Sequence, residues 1–118
     1  MAEHNDLGNR AEMLASQWLQ KKGYVLLAQN YRFKHAEIDL IMEFKGLLIF
    51  VEVKYRSGIG FGYAEEFVDF TKKKLLVKAA DAYIHEIDWH KDIRFDIMGV
   101  YKDKQGNINF RQFEDAFY

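Results

Sequence analysis

The sequence predicts an α/β fold in which one helix, three strands, a second helix and a fourth strand follow in that order. Two stretches, near residues 7–23 and 64–86, repeat apolar residues every three or four positions, as amphipathic helices do. Between them, two runs rich in β-branched and aromatic residues flank a short turn at Lys45 and Gly46. A third run of this kind follows the second helical stretch. Because 118 residues suffice for a single core, we expect one domain spanning residues 1–118.

The first helix is expected to begin at Asn5 or Asp6, whose short polar side chains cap helices well, and to end near Gly23. Glu12 lies at the edge of its apolar stripe, roughly 100° from the centre. A glutamate in that position is usually solvated, but it is also able to reach a site on the neighbouring sheet. The stripe itself consists of Leu7, Ala11, Leu14, Ala15 and Trp18.

The second helix is expected over residues 64–86 and begins with acidic residues, as the helix dipole favours. Lys72 precedes Leu75 and Leu76 of the apolar stripe by three and four residues, so it is expected on the buried side. Lys78 lies on another face of this helix. We therefore place Lys72 near the sheet.

Three further strands complete the pattern, at residues 24–33, 93–101 and 107–113, the last two joined by a turn at residues 104–106. Arg32 lies toward the end of the first of these strands. Arg94 and Asp96 are expected to share one face of the fourth strand and to pair with each other.

Charged residues stand inside the central hairpin, where a core strand normally has none. Residues 47–53 are almost wholly apolar, which is typical of a strand buried on both faces. A carboxylate at Glu52 is costly there unless a cation neutralises it, and Lys54 follows two residues later. These misplaced charges indicate a functional site.

A two-residue turn centred on Gly46 sets the register of this hairpin. Asp39 then lies opposite Glu52, and Glu37 lies opposite Lys54. Because side chains alternate between the faces of a strand, all four are expected on one face, with opposed Cβ atoms roughly 5 Å apart. A register longer by two residues keeps this face, whereas a slip of one residue would move Asp39 to the other side.

Three interpretations fit two opposed carboxylates beside a lysine: a structural ion pair, a metal site, or an acid/base pair. Hard cations such as Mg²⁺ take oxygen ligands, often one or two carboxylates together with waters and a substrate phosphate, which suits Asp39 and Glu52. Buried ion-pair networks give the same charge pattern, so the pattern alone leaves the three open.

The spacing of the charged residues resembles a known signature. Asp39, followed after twelve residues by Glu52, Val53 and Lys54, is similar to the D…(D/E)-x-K signature of the PD-(D/E)xK nucleases, which cleave phosphodiesters with Mg²⁺. A wider set in the same order, from about residue 7 to 101, resembles the YraN-type family of small bacterial proteins. That set comprises Gly8, Ala11, Glu12, Ala15, Gly23, Tyr24, Asn30, Tyr31, Arg32, residues 37–41 and 50–54, Arg56, Phe61, Gly62, Lys72, Arg94, Phe95 and Asp96.

The chain departs from that family at three positions. Ala11 and Ala36 stand where glycine is usual, and Ala64 stands where proline is common. None of the three is a candidate ligand, so the proposed site is retained.

The resemblance implies an α/β fold with a restriction-endonuclease-like core, in which a mixed sheet with a central antiparallel meander is flanked by helices in the order αβββαβ. It implies that Asp39 and Glu52 hold Mg²⁺ or Mn²⁺ and that Glu12 assists. Lys54 would orient or deprotonate water, or stabilise the charge of the transition state. Candidate nucleic-acid contacts are Arg32, Arg56 and Lys72.

Composition narrows the class of protein. The net charge of −1 shows that the chain as a whole is not strongly basic, although local clusters of lysine and arginine could still meet phosphates. The chain has no cysteine, which excludes disulfides and thiolate chemistry. It shows no signal peptide and no apolar run near 18 residues, so we expect a cytoplasmic protein that does not enter a membrane.

The expected function is therefore a Mg²⁺-dependent endonuclease or nucleic-acid-processing protein that hydrolyses phosphodiesters, with branched or structured DNA as one candidate substrate. One alternative is a nucleic-acid-binding protein that keeps the fold without turnover. Another is a structural α/β module whose charged hairpin faces a protein partner. DNA is the favoured partner over RNA, and a homodimer remains open.

Overall fold

Two helices pack on opposite faces of a five-stranded mixed sheet. The computed structural model describes residues 2–57 and 70–116. Helix α1 spans Ala2–Lys21, and three strands follow it: β1 at Val25–Phe33, β2 at Ala36–Phe44 and β3 at Leu47–Ser57. Helix α2 spans Phe70–Ile87 and precedes β4 at Ile93–Lys102 and β5 at Ile108–Phe113.

The sheet has the order β1-β2-β3-β4-β5. The first three strands form an antiparallel meander, β3 and β4 run parallel, and β5 returns antiparallel to β4. Because a parallel pair needs a crossover connection, α2 lies between β3 and β4 in the chain. The predicted mixed sheet, the order αβββαβ and the predicted fifth strand at the edge are thereby confirmed, and β3 is the middle strand.

The start of helix α1 differs from the sequence prediction. Helix α1 begins at Ala2, so Asn5 and Asp6 lie inside it and do not cap it. Ala2 and Glu3 favour helix, and acidic residues are favourable in its first turns, which accounts for the earlier start. The predicted start of the second helix at Ala64 lies outside the described residues.

Two apolar cores lie on the two faces of the sheet. Strand β3 contributes to both, since Leu48 and Phe50 pack in the core beneath α2 whereas Ile49 and Val51 pack in the core beneath α1. Its burial on both faces is as predicted from its apolar run. The helices complete the cores with Leu76, Ala79, Ala80 and Tyr83 from α2 and with Ala11, Ala15 and Leu19 from α1.

Strand β2 breaks the regular alternation of side chains. Ile38 and Ile41 both belong to the core beneath α2, whereas Leu40 belongs to the core beneath α1. Strict alternation would place Ile38 and Leu40 on the same face. Asn30 on the neighbouring strand has a φ of 53°, in the left-handed region, at the level of Asp39. The backbone is therefore irregular where the candidate site residue lies.

This irregularity changes one expectation for the hairpin. Ala36 and Ile38 face α2, so Glu37 between them points to the opposite side, where it forms an ion pair with Arg32 at 3.6 Å. The expectation that Glu37 lies on the face of Glu52 is therefore wrong, because alternation was assumed to continue unbroken through Asp39.

Arg94 and Asp96 pair as expected. Two nitrogens of the Arg94 guanidinium donate to the two carboxylate oxygens of Asp96, both at 2.8 Å. Asp96 is 1% exposed and also accepts hydrogen bonds from the side chain of Gln112 and the backbone N–H of Asp115. The hydrogen bond and charge of Asp96 raise the pKa of Arg94. The network also connects Gln112 and Asp115 to β4. Its role is structural.

Neither helix, over the residues described, is long and apolar enough to cross a membrane.

Candidate active site

The candidate site lies where β2 and β3 separate. Their register begins with Phe44 opposite Leu47, as the two-residue turn predicts, and continues to Leu40 opposite Val51. Beyond that pair, the Oδ2 atom of Asp39 accepts a hydrogen bond from the backbone nitrogen of Val53 at 2.7 Å. A carboxylate thus occupies the place that a backbone carbonyl has in a regular antiparallel pair.

Glu52 is the centre of the charged cluster. It projects from β3 toward α2 and is 4% exposed. Its Oε2 atom lies 3.4 Å from the ammonium of Lys54, two residues further along the strand. The ammonium of Lys72, from the first turn of α2, contacts the same oxygen. Two cations on one carboxylate explain how a buried Glu52 is tolerated.

The two carboxyl groups lie side by side, and Glu52 affects the protonation of Asp39. Burial, and then the negative charge of Glu52, raise the pKa of Asp39 to about 9, although the N–H of Val53 acts in the opposite direction. A hydrogen bond with Glu52 and the charge of Glu12 add to the increase. Asp39 is therefore protonated at neutral pH as long as no cation is bound between the two groups.

The two lysines differ in their electrostatics. Burial and the neighbouring ammonium of Lys72 lower the pKa of Lys54, and the opposing effect of Glu52 does not compensate. Burial also acts to lower the pKa of Lys72, but the hydrogen bond and charge of Glu52 outweigh it, so the pKa of Lys72 is raised. Lys54 is thus the more easily deprotonated of the two, and Lys72 keeps its charge.

Glu12 approaches the cluster from α1. Its Oε1 atom accepts a hydrogen bond from the side-chain amide of Asn30 at 2.8 Å. Asn30 lies on β1 at the level of Asp39, which explains why Glu12 affects the pKa of Asp39. Asn30 was not assigned a role from the sequence. The available signal was an asparagine inside a strand, a residue type that tolerates the left-handed conformation found here.

The two candidate arginines occupy different places. Arg56 lies two residues beyond Lys54 near the end of β3, where its Nη1 atom donates to the carbonyl of Tyr55 at 2.7 Å. Arg32 lies on the edge strand β1, and its side chain is 72% exposed beside Glu37. The structure thus brings Asp39, Glu52, Lys54 and Lys72 together and leaves Arg32 on the periphery.

The donor set suits a hard divalent cation. Within residues 2–57 and 70–116, no three or more histidine, aspartate or glutamate side chains are grouped so as to hold a metal. Mg²⁺ commonly uses only one or two carboxylates and completes its shell with waters and phosphate oxygens. The adjacent oxygens of Asp39 and Glu52 fit that chemistry, because a cation there would offset the burial and the charge of Glu52 that now keep Asp39 protonated.

The fold defines the class of the protein as an α/β chain, in which a five-stranded mixed sheet flanked by two helices is consistent with a nuclease-like core. The chain belongs to the uncharacterised protein family UPF0102, whose family model matches residues 11–100. This confirms the resemblance to the YraN-type family.

Relatives from several bacteria match over most or all of their length. A UPF0102 protein of Flavobacterium psychrophilum is 49% identical over 118 residues, covering 100% of this chain and 98% of the relative. A UPF0102 protein of Carboxydothermus hydrogenoformans is 41% identical over 109 residues, covering 91% of this chain and 92% of the relative. Their names state a family and no activity.

Proposed function

We propose that this protein hydrolyses phosphodiester bonds of nucleic acid, with DNA in the cytoplasm as its substrate, and that it uses Mg²⁺ or Mn²⁺. The observation that supports the proposal is that the side chains of four residues lie close together where β2 and β3 separate: Asp39, Glu52, Lys54 and Lys72. Acidic and basic groups at one point provide both ligands for a cation and partners for a phosphate.

Asp39 and Glu52 would hold the cation. When bound, a divalent cation supplies a Lewis acid that polarises a phosphoryl oxygen. Asp39 loses its proton on binding, since its raised pKa depends on burial beside the charge of Glu52. The N–H of Val53 holds the Asp39 carboxylate in place, so little reorganisation is needed.

The two lysines would have different roles in hydrolysis. Lys54, with its lowered pKa, is suited to orient the attacking water and to accept a proton at Nζ. Lys72 stays charged and is suited to offset the negative charge that grows on the phosphate. Glu12 would support the arrangement from α1 through Asn30. Arg56, near the end of β3, would contact the strand beyond the scissile phosphate.

A cleavage screen tests the proposal. Labelled single strands, duplexes, flaps and four-way junctions of DNA, and matching RNA strands, are incubated with the protein in Mg²⁺ and in Mn²⁺, and the products are resolved on gels. We expect metal-dependent products with at least one substrate and none with Glu52→Ala. Equal cleavage by Glu52→Ala would identify a contaminating nuclease, and binding without cleavage by the unmodified protein would favour a non-catalytic nucleic-acid-binding protein.

A further inference from the structure

A second concave site lies on the other face of the sheet, beneath α1. It is a cavity of about 120 Å³ with an apolar wall that includes Leu14, Val100 and Ile108. Arg10 of α1, Lys102 at the end of β4 and Tyr55 of β3 also line it. The volume is well above the ~10–15 Å³ that a single water needs and below the ~300 Å³ of a pocket for a larger ligand.

The two charged side chains that line this cavity are both positive. Arg10 and Lys102 are both exposed, and no acidic side chain from the described part of the chain lines the cavity. Two cations above an apolar and aromatic wall suit a ligand with a planar ring and an anionic group attached to it. A nucleotide has both parts, because a base can stack on an aromatic ring while its phosphate meets lysine or arginine.

The cavity adjoins the carboxylate site through two shared elements. Tyr55 directly follows Lys54 on β3, and the two side chains point to opposite faces of the sheet. Arg10 lies two residues before Glu12 on α1. At a rise of about 3.3 Å per residue, Tyr55 lies roughly 10 Å along β3 from Glu52. Because the cavity faces the other side of the sheet, a strand bound at the carboxylates would pass around the end of β3 to reach it.

We propose that this cavity is a nucleotide subsite, which takes one unpaired base of the bound strand against Tyr55 and the adjoining phosphates at Arg10 and Lys102. The inference rests on the proposed action on nucleic acid and narrows its substrate class. A base within a duplex is stacked and paired and cannot enter a pocket of one nucleotide without being extruded. The subsite therefore selects single strands, or duplexes with an unpaired flap, over continuous duplex.

Equilibrium binding in chelator tests the subsite without requiring turnover. The probe is a fluorescent single-stranded DNA of mixed sequence, and the same sequence as a blunt duplex is the comparison. Arg10→Ala combined with Lys102→Ala removes both cations, and Lys78→Ala combined with Lys91→Ala removes the same charge from two exposed positions elsewhere. We expect the first pair to weaken single-strand binding at least tenfold and to reduce the salt slope by about 1.4, for two phosphate contacts. The control pair should change binding less than twofold.

The aromatic wall has its own variants. Tyr55→Leu keeps an apolar side chain and removes the ring, and Tyr55→Phe keeps the ring. If a base stacks on the ring, Tyr55→Leu should lower the affinity for single-stranded DNA at least fivefold, and Tyr55→Phe should not lower it. Neither variant should have much effect on duplex binding. Far-ultraviolet circular dichroism and thermal midpoints identify any variant that fails to fold. If Tyr55→Leu does not fold, the comparison of the two double variants tests the subsite.

The results separate this inference from the proposed hydrolysis. Equal losses for the two double variants, or a duplex preferred to the single strand, would overturn the subsite and leave any Glu52-dependent cleavage intact. Selective loss in the Arg10 and Lys102 variant would support the subsite even if the cleavage screen gave no products.

Discussion

The carboxylate of Asp39 accepts a hydrogen bond from the backbone nitrogen of Val53 at 2.7 Å, so a side chain from β2 completes the hydrogen bonding of β3 where the two strands part. This places Asp39 beside Glu52, which two lysines already neutralise. Asp39, Glu52, Lys54 and Lys72 interact electrostatically. We therefore expect substitutions of these residues to change the free energy of unfolding in different directions.

The first prediction concerns stability as a function of pH. The folded protein keeps a proton on Asp39 up to about pH 9, whereas the unfolded chain loses it near pH 4. Between these values the folded state binds the extra proton, so raising the pH lowers the free energy of unfolding, by at most about 1.4 kcal/mol per pH unit. Asp39→Asn should remove this component.

Urea unfolding in chelator, at several values between about pH 5 and about pH 8, measures the slope. Asp92→Asn, at an exposed position just before β4, is the matched control and should keep the wild-type slope. Curves for wild type and Asp39→Asn that run parallel would show that Asp39 is not the group that takes up the proton.

The second prediction contrasts the two carboxylates. Glu52→Gln leaves the ammonium groups of Lys54 and Lys72 close together without their anion, which should cost on the order of 1–3 kcal/mol in chelator. The loss is below that of a fully buried pair because the Lys72 side chain is 40% exposed. Asp39→Asn should instead leave stability unchanged or raise it, since the carboxyl group is already neutral.

A double variant checks the cause of that loss. Adding Lys72→Met to Glu52→Gln removes one of the two unpaired cations and should recover part of the stability. A large destabilisation by Asp39→Asn at neutral pH would instead identify Asp39 as a structural partner in an ordinary ion-pair network.

The third prediction compares two lysines of α2. Lys72 faces the carboxylate site, whereas Lys78 is exposed on another face. Lys72→Ala should therefore weaken nucleic-acid binding more than Lys78→Ala and reduce the salt slope by about one unit for one lost phosphate contact. Fluorescence titrations at several salt concentrations measure both. Superimposable titrations for the two variants would show that Lys72 does not contact the nucleic acid.

The hairpin could be predicted from the sequence because its turn is a local feature. Gly46 and Lys45 both adopt positive φ, at 78° and 51°, as a two-residue hairpin turn requires, and this sets the register from Phe44 to Val51. The position of Lys72 was likewise predictable, because its spacing from Leu75 and Leu76 places it on the packed side of α2.

The local geometry at Asp39 could not be predicted in the same way. The pattern of β2 assumes regular alternation, which the change of face between Ile38 and Leu40 interrupts. That change accompanies the left-handed backbone of Asn30 on the adjacent strand and the hydrogen bond to Val53, both of which depend on residues distant in sequence. For the same reason, regular alternation predicted Glu37 on the face of Glu52, whereas in the structure Glu37 points to the opposite face.

Divalent-cation binding tests the central claim most directly, because every proposed role depends on Asp39 and Glu52 acting as ligands. Calorimetric titration with Mn²⁺ at neutral pH should show weak binding to the wild-type protein, with release of the Asp39 proton to the buffer. Asp39→Ala should show no binding, whereas Asp81→Ala, which removes a carboxyl group from an exposed position, should bind as the wild type does. Equal binding by wild type and Asp39→Ala would contradict a metal site at these two carboxylates.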